Sequence, residues 1–185
     1  MAGQTTYMYR QVIDYADFSA VYLSSLRANS VWYEGPAAEW LPPYPGSEGE
    51  HAEYNVYDDA IFLVVSGRIN TQNAKHHDVE YVAGQGMHMT RSKTRYRIIA
   101  LEDKTTSICL KPKSQTIYNR SLVTLNAGET TTLENVSSVS HYFVAKGRVK
   151  INGVEKTGFQ MIKFPANEPI TVECLEDCYV LRAWE

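Results

Sequence analysis

Cysteine is scarce: the 185 residues hold three, Cys109, Cys174 and Cys178. The number is odd and the spacing follows no zinc or redox pattern. The expected state is reduced thiols in a cytoplasmic protein. A Cys174–Cys178 bridge is not expected, because Cα atoms four residues apart on one strand are too distant. No apolar run approaches the roughly 18 residues of a membrane span, so no membrane partner is expected. Positive charge is not in excess: 18 Lys and Arg against 21 Asp and Glu leave a net charge of −3. Nucleic acid is therefore not an expected partner. The opening "MAGQTTYMYRQ" lacks the apolar segment of a signal peptide.

What is present points to strands. Apolar residues make up 44% of the chain, and the thirteen tyrosines suit pleated, half-buried surfaces. Helical spacing stands out once, at 14–28. There Asp14 or Asp17 can cap a helix carrying Phe18, Val21, Tyr22 and Leu26 on one side. Residues 36–50 hold four prolines and read as an irregular loop. From residue 53 onward short strands are expected near 53–58, 60–69, 79–83, 86–90, 94–101, 105–111, 117–125, 130–135, 140–151, 160–164, 170–175 and 177–184. Glu102–Asp103, Asn126–Gly128 and Asn152–Gly153 supply turn chemistry. Short strands at this spacing predict an all-β sandwich or barrel.

One phrase occurs twice. "AIFLVVSGRINTQ" starts at Ala60 and "HYFVAKGRVKING" at His141. Aligned on Gly67 and Gly147, Phe62/Tyr142, Leu63/Phe143, Val64/Val144, Arg68/Arg148 and Ile69/Val149 match in kind. The offset is 147 − 67 = 80 residues, too long for a solenoid repeat of about 20–50 and right for a small domain made twice. A second glycine phrase follows each, "GQGMHMT" from Gly84 and "TGFQMIKFP" from Thr157. An apolar strand, Gly-Arg-[Ile/Val], a turn, then a glycine with alternating apolar residues resembles the cupin superfamily. The resemblance covers about 150 residues. It implies an all-β chain of two tandem cupin-like double-stranded β-helix (jelly-roll) barrels, a bicupin, with a short N-terminal helix. The expected organisation is a helical segment at 1–29, a first barrel at 30–115 and a second at 116–185.

Many cupins hold a metal through two histidines and a glutamate before the turn glycine, and one histidine later. Carried over position by position, the first barrel has Ala60 at the glutamate position. Glu53 and Asn55 fall near the histidine positions, with Arg95 at the last. An arginine there repels a cation. The second barrel has Ser140 at the glutamate position, residues near Leu133 and Asn135 for the pair, and one near Ile170 for the last. The expectation is no metal, no cofactor and no catalytic set. His51 with Glu53 is the one pair that rescues a metal if the register slips by two. His76 and His77 are adjacent, point to opposite faces and chelate poorly. His88 and His141 alternate with apolar residues, and each is expected as a solvent-side or satisfied wall histidine.

"RSKTRYR", Arg91 to Arg97, places a cation at every second position. Either it is a solvated strand face guarding an edge, or it brings guanidinium groups to a barrel mouth to grip carboxylate or phosphate. On the second reading Arg95 and Arg97 bind the anion. Glu53 and Asn55 orient them or bind ligand hydroxyls, Tyr57 and Tyr96 form flat walls, and His51 lies nearby. The expected function is a metal-free degenerate bicupin binding a small anionic ligand, a sugar acid, other carboxylate or nucleotide, in the first barrel. An enzyme is the less favoured reading. Its form would be a metal-independent sugar or small-acid isomerase or epimerase, pairing His51 or His88 with Tyr96 or Tyr57. A third reading is a non-catalytic accessory protein. A homodimer is expected.

Overall fold

The computed structural model describes residues 6–7, 9–34, 60–73, 78–89, 96–114, 116 and 118–185. The chain divides into two compact units, Met1–Gln115 and Thr116–Glu185. All regular structure among the described residues is β.

Among the described residues the first unit holds ten strands: β1 (Thr6–Tyr7), β2 (Tyr9–Asp14), β3 (Phe18–Ser25), β4 (Ser30–Glu34), β5 (Ala60–Ser66), β6 (Arg68–Asn73), β7 (Asp78–Val82), β8 (Gly86–Met89), β9 (Tyr96–Ala100) and β10 (Thr105–Pro112). They form two sheets, ordered β1-β4-β9-β6-β7 and β2-β3-β10-β5-β8. The second unit holds β11 (Asn119–Leu125), β12 (Thr130–Leu133), β13 (Ser140–Ile151), β14 (Val154–Thr157), β15 (Met161–Phe164) and β16 (Ile170–Trp184). Here β13 and β16 each run through both layers. The start of β13 pairs β15 and its end pairs β14, while β16 pairs β12 first and β11 later. Every pairing of the second unit has a counterpart in the first, with β5 and β6 standing for β13, and β9 and β10 for β16.

The repeated sequence phrase marks this correspondence. In-facing Phe62, Val64 and Ile69 fill one core, and Tyr142, Val144 and Val149 fill the other. Gly67 and Gly147 both adopt positive φ, +76° and +85°, where the apolar strand turns into the other layer. Downstream the backbone bonds also repeat. The amides of Gly84 and Phe159 donate to the carbonyls of Val64 and Val144, whose own amides donate to the carbonyls of Gln85 and Gln160. The side-chain oxygens of Gln85 and Gln160 accept from the amides of Val82 and Thr157 at 3.0 and 2.9 Å. Even the arginines match. Arg68 meets Glu80 at 2.8 Å and Glu102 at 3.5 Å, and Arg148 meets Glu155 at 3.2 Å and Glu176 at 3.6 Å. All are partly solvated, so their contribution is orientation more than stability.

The helix expected over 14–28 is not formed; the segment is the turn out of β2 and then β3. Val21 and Leu23 enter the core, Phe18 and Ala20 are buried on the opposite face, and Leu26 is 84% exposed. A strand buried on both faces scatters apolar residues in a way that imitates a helical stripe. Asp14 caps no helix: it accepts from Ser19 Oγ at 2.7 Å across the turn. That bond, with Lys113 nearby, holds its carboxyl below the usual range. Further on, the expected strand over 60–69 breaks at Gly67, and the two expected over 170–184 are one. Asn152 and Gly153 close the β13–β14 hairpin with φ of 48° and 80°, as the Asn-Gly pair predicts.

Candidate functional site

The first-barrel candidates fall mostly beyond what the structure describes. His51, Glu53, Asn55, Tyr57 and Arg95 lie outside the described residues, as do His76 and His77. Tyr96 and Arg97 are placed by backbone register alone. Tyr96 stands between Glu34 and Asn73, and Arg97 between Tyr33 and Gln72. β9 is therefore an inner strand, bonded on both edges. Buried Ile98 and Ala100 alternate along it, with Tyr96 in step with them and Arg97 in step with Ile99.

In the second unit one end of the barrel interior is polar. Val123, Val180 and Val144 stand side by side on β11, β16 and β13 and belong to the core. Two residues further, the same strands present Ser121, Arg182 and Tyr142; two more, Asn119, Trp184 and Ser140. Alternation places all nine on the in-facing side. Arg182 is 4% exposed and Ser140 1%. Arg182 Nε donates to the Tyr142 hydroxyl at 3.0 Å, and its Nη2 donates to the Glu134 carbonyl at 2.6 Å. The guanidinium lies 5.0 Å from the Trp184 ring centre and 5.7 Å from that of Tyr142, within cation–π range. Ser140 Oγ and the Tyr142 hydroxyl are 3.0 Å apart.

Tyr142→Phe tests this network. It leaves a buried guanidinium N–H without its acceptor, so a loss of about 1–3 kcal/mol in urea unfolding is expected. A variant as stable as the parent would show that the phenol oxygen is dispensable to Arg182.

One sign of this site is visible in the sequence. "CYVLRAW" alternates Cys178, Val180, Arg182 and Trp184, an arginine in step with core residues. His141, expected as a wall histidine, is buried on the other face of β13, edge-on to Tyr118 at 5.7 Å.

A metal does not fit the second unit. Of the four positions carried over, Leu133 packs against the core and Ile170 is buried within it. Asn135 and Ser140 are weak neutral donors, and Ser140 is bonded to the tyrosine that carries Arg182. Cationic arginine and apolar walls are the wrong chemistry for a divalent ion. Among the described residues no three of His, Cys, Asp or Glu gather to hold one.

The cysteines form no disulfide. Cys174 and Cys178 lie four residues apart on β16 and are both free, as expected. β16 bulges between them, its register against β13 jumping from Val149↔Cys174 to Val144↔Val180. Both thiols are buried, and Cys174 Sγ lies 3.4 Å from the Leu125 carbonyl. Cys174 also donates to the Glu176 carbonyl at 3.0 Å. Burial, reinforced by Cys174, pushes the Cys178 thiol up to about 12.

No protein-family model matches the chain, and no curated protein sequence matches it. Solved structures do. An oxalate decarboxylase mutant from Bacillus subtilis aligns with a TM-score of 0.65 at 7% identity, over 98% of this chain and 74% of that one. YhaK from Escherichia coli aligns at 0.59 and 12% identity, over 95% and 92%. YhhW from Escherichia coli aligns at 0.59 and 10%, over 97% and 82%. A second YhhW structure describes it as a bacterial pirin in complex with nickel(II). The chain thus has the bicupin fold, two cupin barrels in tandem. At these identities the likeness is one of fold. Among the described residues no helix is long and apolar enough to cross a membrane.

Proposed function

We propose that the chain is a metal-free, non-catalytic bicupin that binds a small anionic molecule in its first barrel and works as a cytoplasmic homodimer. The ligand class is a sugar acid, another carboxylate or a nucleotide. Arg95 grips the anion, with His51, Glu53, Asn55, Tyr57, Tyr96 and Arg97 around it. The supporting observation is the place of β9. A cationic run on an open edge reads as a guard against aggregation. "RSKTRYR" leads instead into a strand bonded on both sides, with Tyr96 in step with the core residues Ile98 and Ala100.

The test is calorimetric titration with glucuronate, paired with native mass spectrometry and elemental analysis of the purified protein. Saturable binding to a dimer without stoichiometric metal is expected. Arg95→Ala should weaken it about tenfold or more with little change in melting temperature. Arg97→Ala is the companion, since Arg97 and Tyr96 take alternate steps of β9. A stoichiometric transition metal, or unchanged binding by Arg95→Ala, overturns the proposal. Turnover that survives a chelator would favour the isomerase.

A further inference from the structure

We infer that Arg182, Ser140 and Tyr142 form a binding site for the carboxylate of a small organic acid, independent of the first barrel. Three adjacent strands change from valine to polar residues at the same level, over the floor of Val123, Val144 and Val180. One strand changing so is ordinary. Three doing it together build a polar cup at the end of an apolar barrel, with exposed Asn119 and half-buried Ser121 at its rim.

Arg182 in that cup meets two ring faces, Tyr142 and Trp184, but no carboxylate among the described residues. Burying a guanidinium is costly unless its charge and its donors are both matched. Its two bonds go to a neutral phenol and a neutral carbonyl. The Nη1 donors likewise find no acceptor among the described residues.

The hydroxyl pair supplies a second, separate sign. Ser140 and Tyr142 share one hydrogen bond but own two protons. Whichever way that bond runs, one hydroxyl proton has no acceptor among the described residues. Because the Tyr142 oxygen already accepts from Arg182, it donates best to Ser140, which leaves the Ser140 proton for a third group. A guanidinium and a hydroxyl, each with a donor to spare and one tyrosine oxygen between them, suit an acceptor with two oxygens on one carbon.

The charge selects the class. One cation is present in the cup, which matches a carboxylate. A phosphate monoester carries about −1.5 to −2 at neutral pH and would remain half-compensated.

The experiment titrates the full chain with benzoate and, separately, with inorganic phosphate, by calorimetry. The expected result is saturable benzoate binding, stronger than phosphate binding. Arg182→Lys keeps the charge but loses the planar fork, and Ser140→Ala removes the spare proton. Each should weaken benzoate binding, by about tenfold or more for the lysine variant and severalfold for the alanine. Benzoate binding that is lost in Arg182→Lys or Ser140→Ala but kept in Arg95→Ala assigns it to this cup and not to the first barrel. If Arg182→Lys does not fold, Ser140→Ala decides. The inference is overturned if benzoate does not saturate, if phosphate binds better, or if Ser140→Ala binds as the parent does. Arg182 would then be a structural tie between β16 and residue 134. Loss of benzoate binding in Arg95→Ala alone would overturn this site and leave the first-barrel reading standing.

Discussion

Gly147→Ala should destabilise the protein by about 3 kcal/mol or more. Two costs combine. At φ +85° an L-residue adopts the left-handed region, which costs roughly 1–2 kcal/mol. An added Cβ would also lie 2.3 Å from the Asp177 carbonyl oxygen and 2.7 Å from that of Glu176. Both are backbone atoms in the bulge of β16, so relief requires moving the strand. Overpacking of this kind typically costs about 1–3 kcal/mol. Gly153→Ala separates the two costs. Its φ is +80°, yet nothing lies within 4 Å of the Cβ position. Chemical denaturation of the two variants should differ by the collision alone. Equal losses would mean that β16 yields freely where it crosses Gly147. Gly67→Ala should behave like Gly147→Ala, because its Cβ would lie 2.3 Å from Thr105 Oγ1 and 2.9 Å from Thr105 Cα.

Stability should also fall steeply in alkali, in a window set by Cys178. Its thiol ionises near 9.0 when exposed and at about 12 in the fold. The folded chain therefore keeps a proton that the unfolded chain has released. Folding takes up protons across this range, so stability is full below pH 9 and declines as pH rises toward 12. Tyr15, pushed by burial from 10.0 to about 12, adds a second decline that begins one unit later. Urea midpoints at pH 7.5, 9 and 10.5 give the slope. Cys178→Ala should flatten its first part, whatever the substitution costs at neutral pH. Parallel slopes for parent and variant would exclude the thiol as the source.

Much of the architecture was legible because the two units solve the same geometric problem with the same residues. A glycine where the strand changes layers, an arginine after it and alternating apolar residues before it are all sequence-visible. The helix expected over 14–28 failed for a local reason. β3 is buried on both faces, and spacing alone does not distinguish that from a helical stripe. The irregular register of β16 against β13 was not legible either: nothing in "CLEDC" announces a bulge. The site was read unevenly. Cations are dense in "RSKTRYR", whereas Arg182, buried in the second barrel, stands alone in its stretch of sequence. Its meaning depends on Ser140 and Tyr142, some forty residues away, which become neighbours only when β13 pairs with β16.

The matched glutamines have a consequence for engineering. The first unit spends residues 68–82 on its β6–β7 hairpin and the second spends 148–157 on β13–β14, yet both end in the same clasp of Gln85 or Gln160. Five residues of difference are absorbed with no change at the base. The β13–β14 hairpin is thus a cassette above its clasp, and an epitope or tag grafted at its tip has to keep Asn152, which bonds Pro169 and Thr171.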